Sequence, residues 1–241
     1  MPHSFIALLL FLSVPNQLSA GERCRPIDRP DEDYRSATTT CSLGRLGTDT
    51  SSCNDANSSE AATFDIPLSV RTCIEWSCWP GPPESESTTG YPIVGFTGQE
   101  ASSLIVSLLD RAGIAGIEIE PNAFLGSFPV VASFRAQNGE ELVRIERTLV
   151  GPSGARLFAV RCDEPVIASV VIEVPPEALG FAIAFVRSDT FIPSLTDNPS
   201  LITGDGLGWP ASRIHQSSKR VPSIRPDLSL AISSGATAGA R

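Results

Sequence analysis

The chain has 241 residues and a formal net charge of −9. That length holds one all-β domain with extensions, or two small domains, and is enough to bury a substantial core. The acid excess makes the chain a poor partner for nucleic acid or an anionic membrane surface.

Phe5 to Val14 reads FIALLLFLSV and is followed by PNQLSA, ending in Ala20. An apolar run this short cannot span a bilayer, and a small residue stands at the cleavage position. Residues 1–20 are therefore expected to be a secretory signal peptide, although MPHS carries no Lys or Arg. No later run reaches the roughly 18 apolar residues of a membrane helix, so a soluble, secreted, extracellular chain without a stable membrane anchor is expected.

Residues 21–63 are rich in Arg, Asp, Ser, Thr and Cys and poor in large apolar residues. An irregular segment tied down by disulfides is expected there. The six cysteines are Cys24, Cys41, Cys53, Cys73, Cys78 and Cys162. An even count on an oxidising route implies up to three disulfides, whose pairing the sequence leaves open. Cys73 and Cys78 bracket a span short enough for a loop staple. Zinc lacks its ligand set, because there is no CxxC pair and His215 is the one histidine after the signal. Asn57-Ser58-Ser59 is a candidate glycosylation sequon.

From Phe64 the pattern becomes periodic. ASSLIVSLLD (101–110), GIEIEP (116–121), VVASFRA (130–136), the alternating run 143–149, ARLFAVRC (155–162), IASVVIEV (167–174) and FAIAFVRS (181–188) read as strands. Val130, Ala132 and Phe134 share a face, as do Phe158, Val160 and Cys162, and Val170, Ile172 and Val174. Phe181, Ile183, Phe185 and Arg187 are also in phase. Asn138-Gly139 marks a hairpin. Seven regularly spaced strands with a period of two predict an antiparallel β-sandwich over residues 64–189. A helix at 101–113 fits less well, because the run is short and another strand follows at once. Residues 190–241 lose the pattern and are expected to form a flexible tail. The pair Lys219-Arg220 reads as ordinary charge within that tail.

The stretch WSCWPGPPESES (76–87) concentrates the candidate chemistry. Trp76 and Trp79 offer apolar rings, and Glu84 and Glu86 offer polar groups to orient a sugar. The competing reading, which the burial habits of large aromatics favour, has the tryptophans plugging the sandwich end. Glycoside hydrolysis needs two carboxylates, and Glu84 with Glu86, or Glu118 with Glu120 on one strand face, would supply them. No Ser-His-Asp set, nucleophile elbow or phosphate-cradling glycine motif exists, so an enzyme is not expected and no cofactor is implied.

WSCWPGPPESES, GIEIEPNAF (116–124), GARLFAV (154–160), VIASVVIE (166–173) and GFAIAFVR (180–187) come in an order that resembles secreted bacterial jelly-roll-like β-sandwich modules. The resemblance covers roughly residues 64–189. It implies a binding role toward polysaccharide, or a structural or adhesive role in surface or extracellular matrix. Relatives of this type often end in a "GFAID" strand. Here Ala184 stands in place of that acid, so no ligand or ion role carries over to it. The final SSGATAGAR has no apolar helix of the kind a sorting signal needs.

Overall fold

A computed structural model describes residues 23–76, 79–86, 92–151 and 154–191. The expected signal segment, Cys78, His215 and the pair Lys219-Arg220 lie outside the described residues, as does nearly all of the expected tail.

The described residues form twelve strands: β1 (Cys24–Ile27), β2 (Thr39–Thr40), β3 (Asp49–Asn54), β4 (Glu60–Thr72), β5 (Ile93–Phe96), β6 (Ser103–Ala112), β7 (Ile114–Pro121), β8 (Gly126–Arg135), β9 (Glu141–Gly151), β10 (Arg156–Cys162), β11 (Ile167–Glu173) and β12 (Phe181–Ser188). One short helix, α1 (Glu32–Ala37), precedes β2. All described pairings are antiparallel, in the order β1-β10-β7-β12-β5-β4-β6-β11-β8-β9.

The order folds into two layers because β4 belongs to both. Its Ser69–Thr72 end pairs with β5, while Ala62–Phe64 pairs with β6. Pro67 lies between the two halves, where no ladder bond to a proline nitrogen is needed. The core fills with the inward residues of both layers. Ile117, Ile119, Phe158, Val160, Phe181 and Ile183 come from the first layer, and Leu104, Val106, Val130, Ala132, Phe134 and Ile172 from the second. The segment 101–110 is strand, as its in–out alternation of Leu104, Val106 and Leu108 requires.

The structure departs from the sequence pattern in two places. Residues 21–63 are less irregular than their composition suggests. They hold β1, α1, β2, β3 and the start of β4, because sheet pairing and two disulfides supply the order that apolar side chains do not. Cys24–Cys162 joins directly paired positions of β1 and β10, and Cys41–Cys53 closes a short loop. Cys73 is buried, and its expected partner Cys78 is outside the described residues. The second departure lies in β12. A register shift between Ala184 and Arg187 inserts a residue, so the core-facing series runs Phe181, Ile183, Val186. Phe185 and Arg187 therefore leave the core face, since a one-residue insertion reverses every side chain beyond it.

The two disulfides close loops of very different length, with sequence separations of 138 and 12. Chain-entropy reasoning puts their contributions at about 5 and about 3 kcal/mol, respectively. Replacing Cys24 and Cys162 by Ser should therefore lower the urea midpoint more than replacing Cys41 and Cys53, which equilibrium unfolding measures directly.

Candidate functional site

The outward face of the first layer is not a solvent face. Gly116 on β7, Ala159 on β10 and Ala182 and Ala184 on β12 present almost no side chain, and all are buried. Such a floor lets other segments lie directly on the sheet. Two do so: α1, and the segment 79–86 that follows a 3₁₀ turn at Cys73–Trp76. Asp31 caps α1 by accepting from the Tyr34 backbone N–H at 2.8 Å. Tyr34 then lies flat on Leu157 and Ala159, 1% exposed. A Cβ at position 116 would collide with the Tyr34 hydroxyl and with Ala159, so only glycine allows this approach.

Beneath the cover sits a polar cluster. Glu118 and Glu120 point away from the core, opposite to Ile117 and Ile119, and both are fully buried. One Glu118 oxygen accepts from Trp79 Nε1 at 2.5 Å, the other from the backbone N–H of Glu86 at 2.6 Å. Arg187 donates to both oxygens of Glu86, at 2.5 and 2.7 Å, and to the carbonyl of Thr38 at 2.9 Å. The Thr38 hydroxyl in turn donates to the Tyr34 carbonyl. The end of α1, the covering segment, β7 and β12 thus meet in one network. The Leu157 N–H donates to the Glu84 carbonyl and adds a tie from β10 to the cover.

Burial, and secondarily the negative charge of Glu86, push Glu118 up to about 8. The two N–H donors and Arg187 pull the other way without offsetting the desolvation. Tyr34 is held well above its ordinary value by burial, with the charge of Glu86 next in importance. Its hydroxyl has no hydrogen-bond partner among the described residues. Ala184 stands directly across from Glu118. A carboxylate there would add a further acid to a space where burial already holds Glu118 protonated near neutral pH.

The candidate ligand residues are therefore placed as follows. Trp79 is 6% exposed and Glu86 9%, and both are committed to interior partners. They form the underside of a cover rather than an open platform. Glu84 is half-buried, and the Trp76 side chain is outside the described residues. Asn57 is exposed in the turn between β3 and β4. Glu118 and Glu120 share a face, as their spacing requires, but that face is shut off from solvent. No group of His, Cys, Asp and Glu with metal-holding geometry occurs among the described residues, and no helix there is long and apolar enough to cross a membrane.

An open groove adjoins the covered face. Thr40, Cys41, Ser42, Leu43, Pro92, Ile93 and Phe185 enclose about 250 Å³. Phe185 is half-buried, packs against the cluster that holds Trp79, Val94 and Phe96, and sits at φ +48°. That left-handed backbone is costly for an aromatic residue, on the order of 1–3 kcal/mol. The bulge in β12 both imposes the conformation and aims the ring outward. Sequence reading missed Phe185, Arg187 and Tyr34. The available signal was an arginine in phase with buried phenylalanines, an arrangement that a strand without a bulge would not tolerate.

Neither a family model nor a curated protein matches the chain. Among solved structures, it is similar to a DUF4465 family protein from Bacteroides caccae, at 12% identity and TM-score 0.34, over 68% of this chain and 98% of that one. It is also similar to a family 29 carbohydrate-binding module from Piromyces equi, at 8% identity and TM-score 0.28, over 57% and 95%. A third is the enzymatically active domain of the bacteriophage CBA120 tailspike protein 4, at 14% identity and TM-score 0.29. That match covers 53% of this chain and only 19% of the tailspike domain. Likeness at this level decides nothing about ligand or activity.

The cluster makes two outcomes measurable. With Glu118 near 8 when folded and near 4.5 when unfolded, the folded state holds a proton that the unfolded state releases between these values. The contribution is full below pH ~4.5 and is lost as pH rises toward ~8, with a slope of at most about 1.4 kcal/mol per pH unit. Denaturant midpoints taken across that window should fall with pH, and Glu118→Gln should flatten the trend. Arg187→Met strands the buried Glu86 carboxylate and should destabilise by about 3–5 kcal/mol, with partial recovery in the double variant Arg187→Met/Glu86→Leu.

Proposed function

We propose that the protein is a non-catalytic extracellular module that binds a neutral saccharide along the groove beside Phe185. The observation that carries this reading is an aromatic ring held in a strained conformation at the edge of an open, largely apolar groove. Strain of this kind persists where the surrounding structure over-determines it, as at ligand-binding positions. The ring offers a face for the C–H side of a sugar, and the hydroxyl residues Thr40 and Ser42 supply orienting groups on the same groove. At about 250 Å³ the groove is smaller than pockets that enclose a drug-sized molecule, ~300–1,000 Å³. It suits shallow contact with one ring of a polymer.

The placement of the carboxylates supports the non-catalytic reading. Glu118 and Glu120 are buried beneath the cover, where no glycosidic bond reaches them. The two disulfides suit an oxidising compartment.

A second reading, an adhesive or structural protein, is favoured by one end of the sandwich. Phe124 is 59% exposed and Leu125 82%, with Leu179 and Val150 also exposed. Such a patch fits contact with another protein surface.

Titration calorimetry against soluble neutral glucans, mannans and xylans tests the first reading. Phe185→Leu keeps the apolar packing but removes the ring face. It should weaken binding at least about tenfold with an unchanged urea midpoint. Equal affinity in the variant, or no saturable binding to any neutral polymer, rejects the groove as the site.

A further inference from the structure

A second groove lies on the outward face of the first layer, at the open edge that α1 leaves uncovered. It encloses about 350 Å³, and its lining includes Arg25, Ile27, Arg29, Asp31, Tyr34 and Arg161. It shares no residue with the Phe185 groove.

Its chemistry follows from the pairing of β1 with β10. Arg25 stands directly opposite Arg161, two positions from the Ile27–Ala159 pair. Like charges directly opposed on a sheet face repel, and native sheets normally place an acid there. Here, among the described residues, none of Arg25, Arg29 and Arg161 is in an ion pair. The repulsion is locked in, because the neighbouring Cys24–Cys162 disulfide fixes the register of the two strands.

Asp28, Asp31 and Asp33 share the lining, but among the described residues none of them is ion-paired with these arginines. Asp28 also lines the groove and pairs with Arg147 at 3.1 Å. Asp31 accepts from the Tyr34 N–H to cap α1. What remains is a groove whose lining combines guanidinium forks, carboxylates and the apolar residues Tyr34 and Ile27.

A bare phosphate or sulfate would use only the forks and be repelled by the aspartates. A sugar acid uses both, since its carboxylate takes a planar guanidinium bidentately and its hydroxyls donate to aspartate oxygens. We infer that this groove binds uronic-acid residues of an acidic polysaccharide, with Arg25 and Arg161 closing on the carboxylate. The chain as a whole is acidic at −9. Attraction is therefore confined to contact distance, within a Debye length of about 8 Å at physiological salt. Recognition depends on geometry rather than on a basic surface.

The test uses the full chain, with polygalacturonate, its fully methyl-esterified form and polyglutamate as probes at one fixed ionic strength. Calorimetry or affinity electrophoresis should show polygalacturonate binding at least about tenfold tighter than its ester. Arg25→Gln/Arg161→Gln should erase that preference without lowering the urea midpoint, because the replaced pair is repulsive; a purely structural role would lower it. Phe185→Leu should leave the preference intact. Three results overturn the inference: equal binding of acid and ester, a preference that survives the double variant, or polyglutamate binding as tightly as polygalacturonate, which would point to an acidic peptide. Loss of neutral-glycan binding alone overturns the Phe185 reading and leaves this one standing.

Discussion

Arg187 is the point on which the outer half of the molecule closes. Its guanidinium spends two donors on Glu86 and one on the Thr38 carbonyl, and so draws the covering segment and the end of α1 onto β12. The side chain reaches them because the sheet beneath is paved with glycine and alanine, which keeps the layers close. Closeness has an electrostatic cost. Glu118 lies in the same low-dielectric space as Glu86, and one guanidinium does not balance both acids, so a proton on Glu118 supplies part of the compensation near neutral pH. The cover, the raised pKa of Glu118 and the loss of Trp79 to the interior are three results of one packing choice.

The bulge in β12 links that interior to the surface. By inserting one residue after Ala184 it turns Arg187 toward the covered face and places Phe185 beside the open groove. Without it, Phe185 would continue the core series begun by Phe181 and Ile183, and Arg187 would be driven into hydrocarbon. The latch and the groove are therefore neither independent features nor independently mutable. A substitution that removes the bulge should disturb both.

The class of fold was legible in the sequence because alternation in β7 through β12 is a direct imprint of two packed layers. The triplets Val130–Ala132–Phe134 and Phe158–Val160–Cys162 fall on the core side as their spacing demands. The order within residues 21–63 was not legible, since cross-links and ladder pairing, rather than apolar side chains, hold it. The site was partly legible. Glu118 and Glu120 stood out as acids on one strand face, but no local pattern says that a segment more than thirty residues upstream will lie over them. Likewise, Trp79 beside prolines looks the same in sequence whether its ring faces a ligand or a buried carboxylate. The bulge was invisible because it conserves the apolar character of FAIAFVRS while changing which side each residue serves.

The first and last described residues lie close together. Asp163 N–H donates to the Arg23 carbonyl, Cys162 N–H to Gly113, and Asp189 N–H to Ile114, so the chain enters and leaves beside the start of β7. A pull applied between these ends would not run through the sandwich. It would meet the Cys24–Cys162 bond on one side and the β12–β7 ladder on the other, leaving the remaining strands outside the line of force. Mechanically the domain is a pendant hung from a single point rather than a link in a chain. Both grooves border the two loaded strands, one through Arg25 and Ile27 of β1 and the other through Phe185 of β12.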